Sequence, residues 1–164
     1  MISTLFVRNH QRTCLIKPPL LHQIARDLLQ RVLPHQQYDL SIHLMPRKRM
    51  VYLNETFLQH RGTTDVITFD YSEAPEPGLL QGEIFICVDE ALAQARHFRT
   101  SWQCEVVRYL VHGVLHLSGY DDTRPQARRE MKQAENRLLK QLTERFSLTQ
   151  IGSLRARSNR SIKP

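Results

Sequence analysis

The chain has 164 residues, a length that suits one domain with its own hydrophobic core. Its formal net charge of +7 favours a polyanionic partner such as nucleic acid, although a basic surface without a specific role is equally compatible. No apolar run reaches the roughly 20 residues that cross a bilayer, and the N-terminal residues are too polar for a secretory signal. Three cysteines without a C-x-x-C pair argue against a disulfide framework. These features predict a cytoplasmic protein that has no membrane partner.

Strands are predicted where β-branched and aromatic residues alternate with polar ones or cluster together, at residues 3–8, 38–45, 64–71 and 82–89. A short partner for the first strand is expected at 13–16. The last two strands are joined by a predicted loop at 72–81, which contains two prolines and a glycine.

Helical periodicity and start signals predict five helices, at residues 18–32, 46–57, 90–98, 101–118 and 125–146. Thr100 and Gln103 form the pattern of a capping box for the fourth helix, and Gly119 ends it. Pro125 favours the start of the fifth helix. Strands early and helices late predict an α+β fold, a single compact domain in which about five helices pack on a mixed sheet of about four strands.

The domain is expected to cover residues 1–147. Residues 148–164 are predicted to be a basic, disordered tail, because four basic residues and no acidic one lie in this stretch. Such a tail could contact RNA or could be a merely solvated terminus.

The chemistry is concentrated in residues 112–122. His112 and His116 are four residues apart on a predicted helix, so both imidazoles project from the same face. Gly119 allows the chain to leave the helix sharply and to bring Asp122 back toward them. Two histidines, one carboxylate and an open position for water form a plausible catalytic metal site.

An isolated H-x-x-x-H is a weak signal, because histidines fall four residues apart on many helices. This helix, however, is apolar nearly all round, which predicts that it is the buried central helix of the domain. Imidazoles on a buried helix need polar partners, and one metal ion would satisfy both of them.

The segment HGVLHLSGYDD, residues 112–122, resembles the signature of the YbeY-type endoribonucleases, His-Gly-x-Leu-His-Leu-x-Gly-Tyr-Asp-His. Residues 53–70 resemble the family's second block, which is Leu-Asn, an aromatic residue and then Thr-Asp-Val-Leu-Ser-Phe. Residues 82–95 are similar to the family's Gly-Asp-Ile strand and the helix that follows it. The blocks occur in the family's order and cover about residues 40–145.

The resemblance implies a compact α+β fold with one divalent metal ion, generally zinc, held by His112, His116 and Asp122. It implies a single-strand-specific endoribonuclease that acts in ribosomal RNA maturation, including 3′-end processing of small-subunit RNA, and in ribosome quality control. Single-stranded RNA, ribosomal RNA and the small ribosomal subunit are the expected partners, and DNA is not. His112 is expected to serve catalysis as well as metal binding.

Two positions depart from the family pattern. Asp122 stands at the family's third metal-binding histidine, and its negative charge predicts weaker activation of bound water at neutral pH. The adjacent Asp121 matches the family's own aspartate and remains an alternative ligand. Leu58 stands where the family usually has an arginine that contacts phosphate, and Arg61 could supply that guanidinium as a catalytic residue or could simply face solvent.

Two other functions remain open. One is a non-catalytic, RNA-binding ribosome assembly factor with a structural metal. The other is a zinc metalloprotease, although such enzymes place a general-base glutamate directly after the first histidine and this chain has Gly113 there.

Overall fold

The computed structural model describes residues 3–72 and 78–156. Their secondary-structure elements are, in chain order, β1 (Thr4–Asn9), β2 (Cys14–Ile16), α1 (Pro18–Val32), β3 (Gln37–Met45), α2 (Arg47–Phe57), β4 (Val66–Asp70), β5 (Leu79–Cys87), α3 (Val88–Phe98), α4 (Trp102–Leu117), α5 (Pro125–Arg145), a 3-10 turn (Leu148–Ile151) and β6 (Gly152–Leu154). Among these helices, none has both the length and the apolar character that crossing a bilayer requires. Residues 73–77 of the predicted loop lie outside the described residues, and β5 begins earlier than expected, at Leu79.

The main sheet has four strands in the order β1-β3-β5-β4. The first three strands run parallel, and β4 pairs with β5 in the antiparallel sense. The mixed four-stranded sheet and the five helices confirm the predicted α+β class. The expected pairing of the first strand with residues 13–16 is wrong: α1 carries the chain across so that β1 lies beside β3, whereas β2 pairs with β6 in a separate two-stranded sheet.

One face of the sheet packs against the helices and forms part of the hydrophobic core. Leu40, Ile42 and Leu44 alternate along β3 and are all buried, as the period of a half-covered strand requires. The central helix α4 packs against β4 and β5, and most of its residues are buried. Gly113 permits this close approach, because a Cβ atom there would lie 2.8 Å from Cγ2 of Ile84. The predicted buried helix with the histidine pair is therefore confirmed.

The start of α4 differs from the predicted capping box. Ser101 is the N-cap, and its side chain accepts a hydrogen bond from the backbone N–H of Cys104 at 3.1 Å. Thr100 donates instead to the carboxylate of Glu105, and the amide of Gln103 donates to the carbonyl of Gly152. Ser and Thr are both good caps, so the choice depends on which residue has the extended backbone beside the first turn.

The predicted boundary at residue 147 is also wrong. Leu148 and Ile151 are buried against the core, and the 3-10 turn that contains them packs on α4. The backbone then forms β6, in which Leu154 pairs with Cys14. The two apolar side chains gain free energy by leaving water, and the pairing with β2 adds backbone hydrogen bonds, so this part of the basic segment is ordered. Residues 157–164 of the predicted tail lie outside the described residues.

Candidate metal centre

The histidine pair lies on the last turns of α4. The ring centroids of His112 and His116 are 4.6 Å apart, with the ring planes nearly perpendicular. Both side chains are partly exposed, at 26% and 29% of their surface, so the largely buried helix is open to solvent at this point. One helical turn separates the two residues, which is why their side chains meet.

Asp122 returns to the pair through a sharp turn. Gly119 has a φ of +98°, a conformation that favours glycine, and the N–H of Tyr120 donates to the carbonyl of Leu115. This turn places Oδ2 of Asp122 3.8 Å from Nε2 of His112 and 3.5 Å from Nε2 of His116. One ligand atom from each of the three residues lies within 4.8 Å of the others, and the group could hold a metal ion.

The neighbouring Asp121 has a different set of partners. Its carboxylate accepts hydrogen bonds from the backbone N–H of Thr123 at 2.9 Å and from the Thr123 hydroxyl at 2.7 Å. These bonds lower the pKa of Asp121 from its ordinary value. Asp121 therefore stabilises the turn that leads into α5. The group of potential metal ligands contains Asp122 rather than Asp121.

The sequence prediction missed Glu135, a buried residue of α5. Its Oε2 lies 3.1 Å from Nδ1 of His112, and its Oε1 accepts hydrogen bonds from Arg108 at 2.9 Å and Lys132 at 3.2 Å. Burial alone would raise the pKa of Glu135, but the hydrogen bonds from His112 and Arg108 and the charge of Lys132 outweigh it and lower the pKa to about 2. Glu135 is therefore ionised at neutral pH.

An ionised carboxylate can only accept, so Nδ1 of His112 carries the hydrogen in this contact. In a neutral imidazole the lone pair is then on Nε2, the nitrogen that faces Asp122. A carboxylate that supports a metal-binding histidine in this way is a common feature of metal sites. Two imidazole nitrogens and a carboxylate oxygen are suitable donors for a divalent transition metal, so the residues present fit such an ion.

The residues of the second sequence block occupy a different place. Leu58 is the C-cap residue that follows α2, and it is 40% exposed. Arg61 is exposed and lines a surface hollow with Glu55, Gln59 and His60. It is not among the described residues that line the cavity beside His112. The catalytic role of Arg61 therefore stays a prediction.

A cavity of about 570 Å³ extends from the metal centre between α3, α4 and α5. His112 and Asp122 line one end of this cavity, and Phe98, at the end of α3, also lines it. Arg128 and Arg129 border it on the α5 side. A concave space of this size next to potential metal ligands is where a substrate is expected to bind.

The fold and the donor group together define a class, an α+β domain whose central helix carries two histidines that could hold a metal ion with a following aspartate. The family model described as Endoribonuclease YbeY matches residues 6–143. The endoribonuclease YbeY of Chlorobium luteolum is 42% identical over 90 residues, which cover 55% of this chain and 64% of that protein. The corresponding protein of Salinibacter ruber is 36% identical over 106 residues, which cover 61% and 68%. This chain belongs to the endoribonuclease YbeY family.

The fold has a counterpart among solved structures. The solution structure of TM1509 from Thermotoga maritima matches 87% of this chain and 91% of that chain with a TM-score of 0.61. The two sequences are only 21% identical, so the likeness concerns the fold alone.

Proposed function

We propose that this chain is a metal-dependent endoribonuclease that cleaves single-stranded RNA at the centre formed by His112, His116 and Asp122. The observation that supports it is the convergence of these three donors, in a chain that belongs to an endoribonuclease family. We propose Zn²⁺ as the resident ion, because two imidazoles and one carboxylate form a common ligand set for catalytic zinc.

Each residue has a defined task in this proposal. His112 and His116 would bind the ion through Nε2, with Glu135 fixing the orientation of the His112 ring. When bound, the ion would supply Lewis-acid stabilisation for the charge that develops on the cleaved phosphate. The carboxylate of Asp122 would offset part of the positive charge of the site, so we expect weaker activation at neutral pH than with a third histidine.

Arg61 is the proposed second source of positive charge. Its guanidinium is exposed in the hollow beside α2, where it could neutralise a phosphate of an RNA strand that continues from the metal centre. An Arg61→Gln variant with unchanged single-turnover cleavage would remove this residue from the catalytic group without affecting the metal assignment.

The substrate is proposed to be ribosomal RNA, with the small ribosomal subunit as partner and the cytoplasm as location. The net charge of +7 agrees with a polyanionic partner. Proteolysis finds no support, because Gly113 packs against Ile84 of the sheet and provides no general base. The alternative function is a non-catalytic assembly factor, and the following experiment distinguishes it from an enzyme.

The test combines metal content with single-turnover cleavage of single-stranded RNA, with and without a chelator. His112→Ala and His116→Ala are each expected to release the metal and to abolish cleavage, while the fold stays intact. The exposed His35 provides a matched control, since His35→Ala should retain both properties. Cleavage that persists in the metal-free variants would refute the proposal, and bound metal without any cleavage by the unmodified chain would favour the assembly factor.

A further inference from the structure

We propose that the cavity beside the metal centre binds the nucleotide adjacent to the cleaved phosphodiester, an inference that rests on the proposed ribonuclease function. We call it the flanking cavity, bounded by His112 and Asp122 at the centre, by Phe98, and by Arg128 and Arg129 of α5. Its volume of about 570 Å³ is within the range of pockets that enclose small organic ligands, and it leaves room for one nucleotide.

The α5 side of the flanking cavity offers cationic groups for a phosphate. Arg129 is exposed, and no ion pair involves it among the described residues. Arg128 donates from Nε to the backbone carbonyl of Asp122 at 3.1 Å, which holds its guanidinium beside the metal centre. The other two cations, Arg108 and Lys132, are already engaged by Glu135. Arg129 is therefore the cation best placed to pair with a substrate phosphate.

The α3 side offers an aromatic surface for a base. Phe98 is 62% exposed, and its ring has an edge contact with the ring of His97, with the centroids 4.8 Å apart. Met131 and Tyr109, both buried, also line the cavity, and the buried Tyr109 hydroxyl has no hydrogen-bond partner in the part of the chain that the structure describes. A base can stack on an exposed ring only when it is unpaired, so Phe98 would favour single-stranded RNA.

Carboxylates also line the flanking cavity, and they are already engaged within the protein. Glu105 accepts from the hydroxyl of Thr100 at 2.8 Å, and Asp65 accepts from the backbone N–H of Val66 at 2.9 Å. Glu135 is paired with the cations described above, and Asp122 faces the two imidazoles. The cavity is lined by as many cations as carboxylates, and neither Arg128 nor Arg129 forms an ion pair in the described part of the chain. The α5 side of the cavity is therefore the side that can attract an anion.

The experiment measures binding separately from cleavage. The full chain, with a chelator present, is titrated into a labelled eight-nucleotide oligoadenylate and the dissociation constant is read from fluorescence anisotropy. We expect Phe98→Ala to weaken binding by about fivefold or more. Arg129→Gln should weaken binding by roughly three- to tenfold. It should also reduce the slope of the logarithm of the binding constant against the logarithm of salt concentration by about one, the value expected for one phosphate contact.

Two matched controls separate a specific site from general effects. Arg137→Gln removes the same charge further along α5, and Phe6→Ala removes an exposed ring from β1, at the far edge of the sheet. Both should bind almost as the unmodified chain does. In the cleavage assay with zinc, Phe98→Ala and Arg129→Gln should raise KM and leave kcat nearly unchanged, because they remove binding that is equal in the ground and transition states.

The outcomes distinguish the two proposals. If the unmodified chain cleaves RNA and the cavity variants bind and cleave no worse than the controls, the flanking cavity is refuted and the ribonuclease stands. If the unmodified chain binds without cleaving and the cavity variants alone lose affinity, the cavity is supported as an RNA site and the proposed enzyme fails.

Discussion

The carboxylate of Glu135 lies 3.1 Å from Nδ1 of His112, while the other nitrogen of the same ring is the one nearest Asp122. The contact joins α5 to the end of α4. It also explains how a glutamate that is 4% exposed stays ionised, since His112, Arg108 and Lys132 all contact it. An orienting carboxylate is therefore built into the core next to the potential metal ligands.

Glu135→Gln is expected to lower metal affinity by about 10- to 100-fold, because the amide is a weaker acceptor for Nδ1–H and holds the ring less firmly. Competition with a chromogenic zinc chelator measures the change. Glu130→Gln, an exposed substitution on the same helix, is the control and should leave the affinity unaltered. Equal affinities for the Glu135 variant and the unmodified chain would show that the contact has no role in metal binding.

Substitutions at the third ligand position should reveal which aspartate binds the ion. Asp122→His is expected to preserve or increase zinc affinity, and Asp122→Ala to decrease it, since the alanine removes one of three donors. Asp121→Ala should have the smaller effect, because its carboxylate is engaged by Thr123. Isothermal titration with zinc compares the three variants, and a larger loss for Asp121→Ala than for Asp122→Ala would reverse the assignment.

The segment after α5 should contribute strongly to stability. Ile151 is fully buried, so Ile151→Ala is expected to reduce the free energy of unfolding by about 2–5 kcal/mol through the cavity that it leaves. Leu154, which is 59% exposed, is the control, and Leu154→Ala should change it by less than about 0.5 kcal/mol. Urea unfolding gives both values, and similar losses for the two variants would contradict the packing described for the 3-10 turn.

Stability should decline in alkaline solution. Burial, with a smaller contribution from Asp89, raises the pKa of the Cys14 thiol to about 11. Between pH 9 and 11 the unfolded chain loses this proton and the folded chain keeps it, so the folded state binds more protons and the free energy of unfolding falls. Cys14 would account for about 2 kcal/mol of this fall.

Urea titrations at pH 8.5 and 10.5 test this expectation with Cys14→Ala as the comparison. The variant should lose less stability between the two pH values than the unmodified chain, although burial of Cys87 and Tyr109 also raises their pKa values and leaves some decline. An identical decline in both proteins would exclude a contribution from Cys14.

The central helix and its histidine pair could be predicted because the information is local. Apolar residues nearly all round the helix predict burial, and a spacing of four predicts a shared face. Gly119 likewise predicts the turn that brings Asp122 back toward the histidine pair, since a positive φ at a helix end favours glycine.

Glu135 could not be found in this way. It lies 23 residues after His112 in sequence, on a helix whose charged residues are mostly solvated, and only the packing of α5 on α4 brings the two together. A buried carboxylate has no local sequence signal that separates it from an exposed one. The position of Arg61 could not be predicted either. It lies near the family motif in sequence, but its side chain lines a hollow that is separate from the cavity beside His112.

The order of the C-terminal segment could not be predicted for a related reason. Net charge describes the whole stretch after residue 147, whereas its ordered part is held by the burial of Leu148 and Ile151 and by the pairing of β6 with β2. The pairing of β1 was also beyond local patterns, because a strand's composition does not indicate whether its neighbour is the next strand along the chain.

The ladder that joins Cys14 to Leu154 links two segments that are far apart in the order of synthesis. A nascent polypeptide without β6 leaves β2 unpaired and uncovers the part of Trp102 that lies next to Gly152. β2 and β6 can therefore pair only after almost all of the described chain has been synthesised. Premature termination before Ile151 would release a product with exposed apolar side chains, which chaperones or proteases would bind.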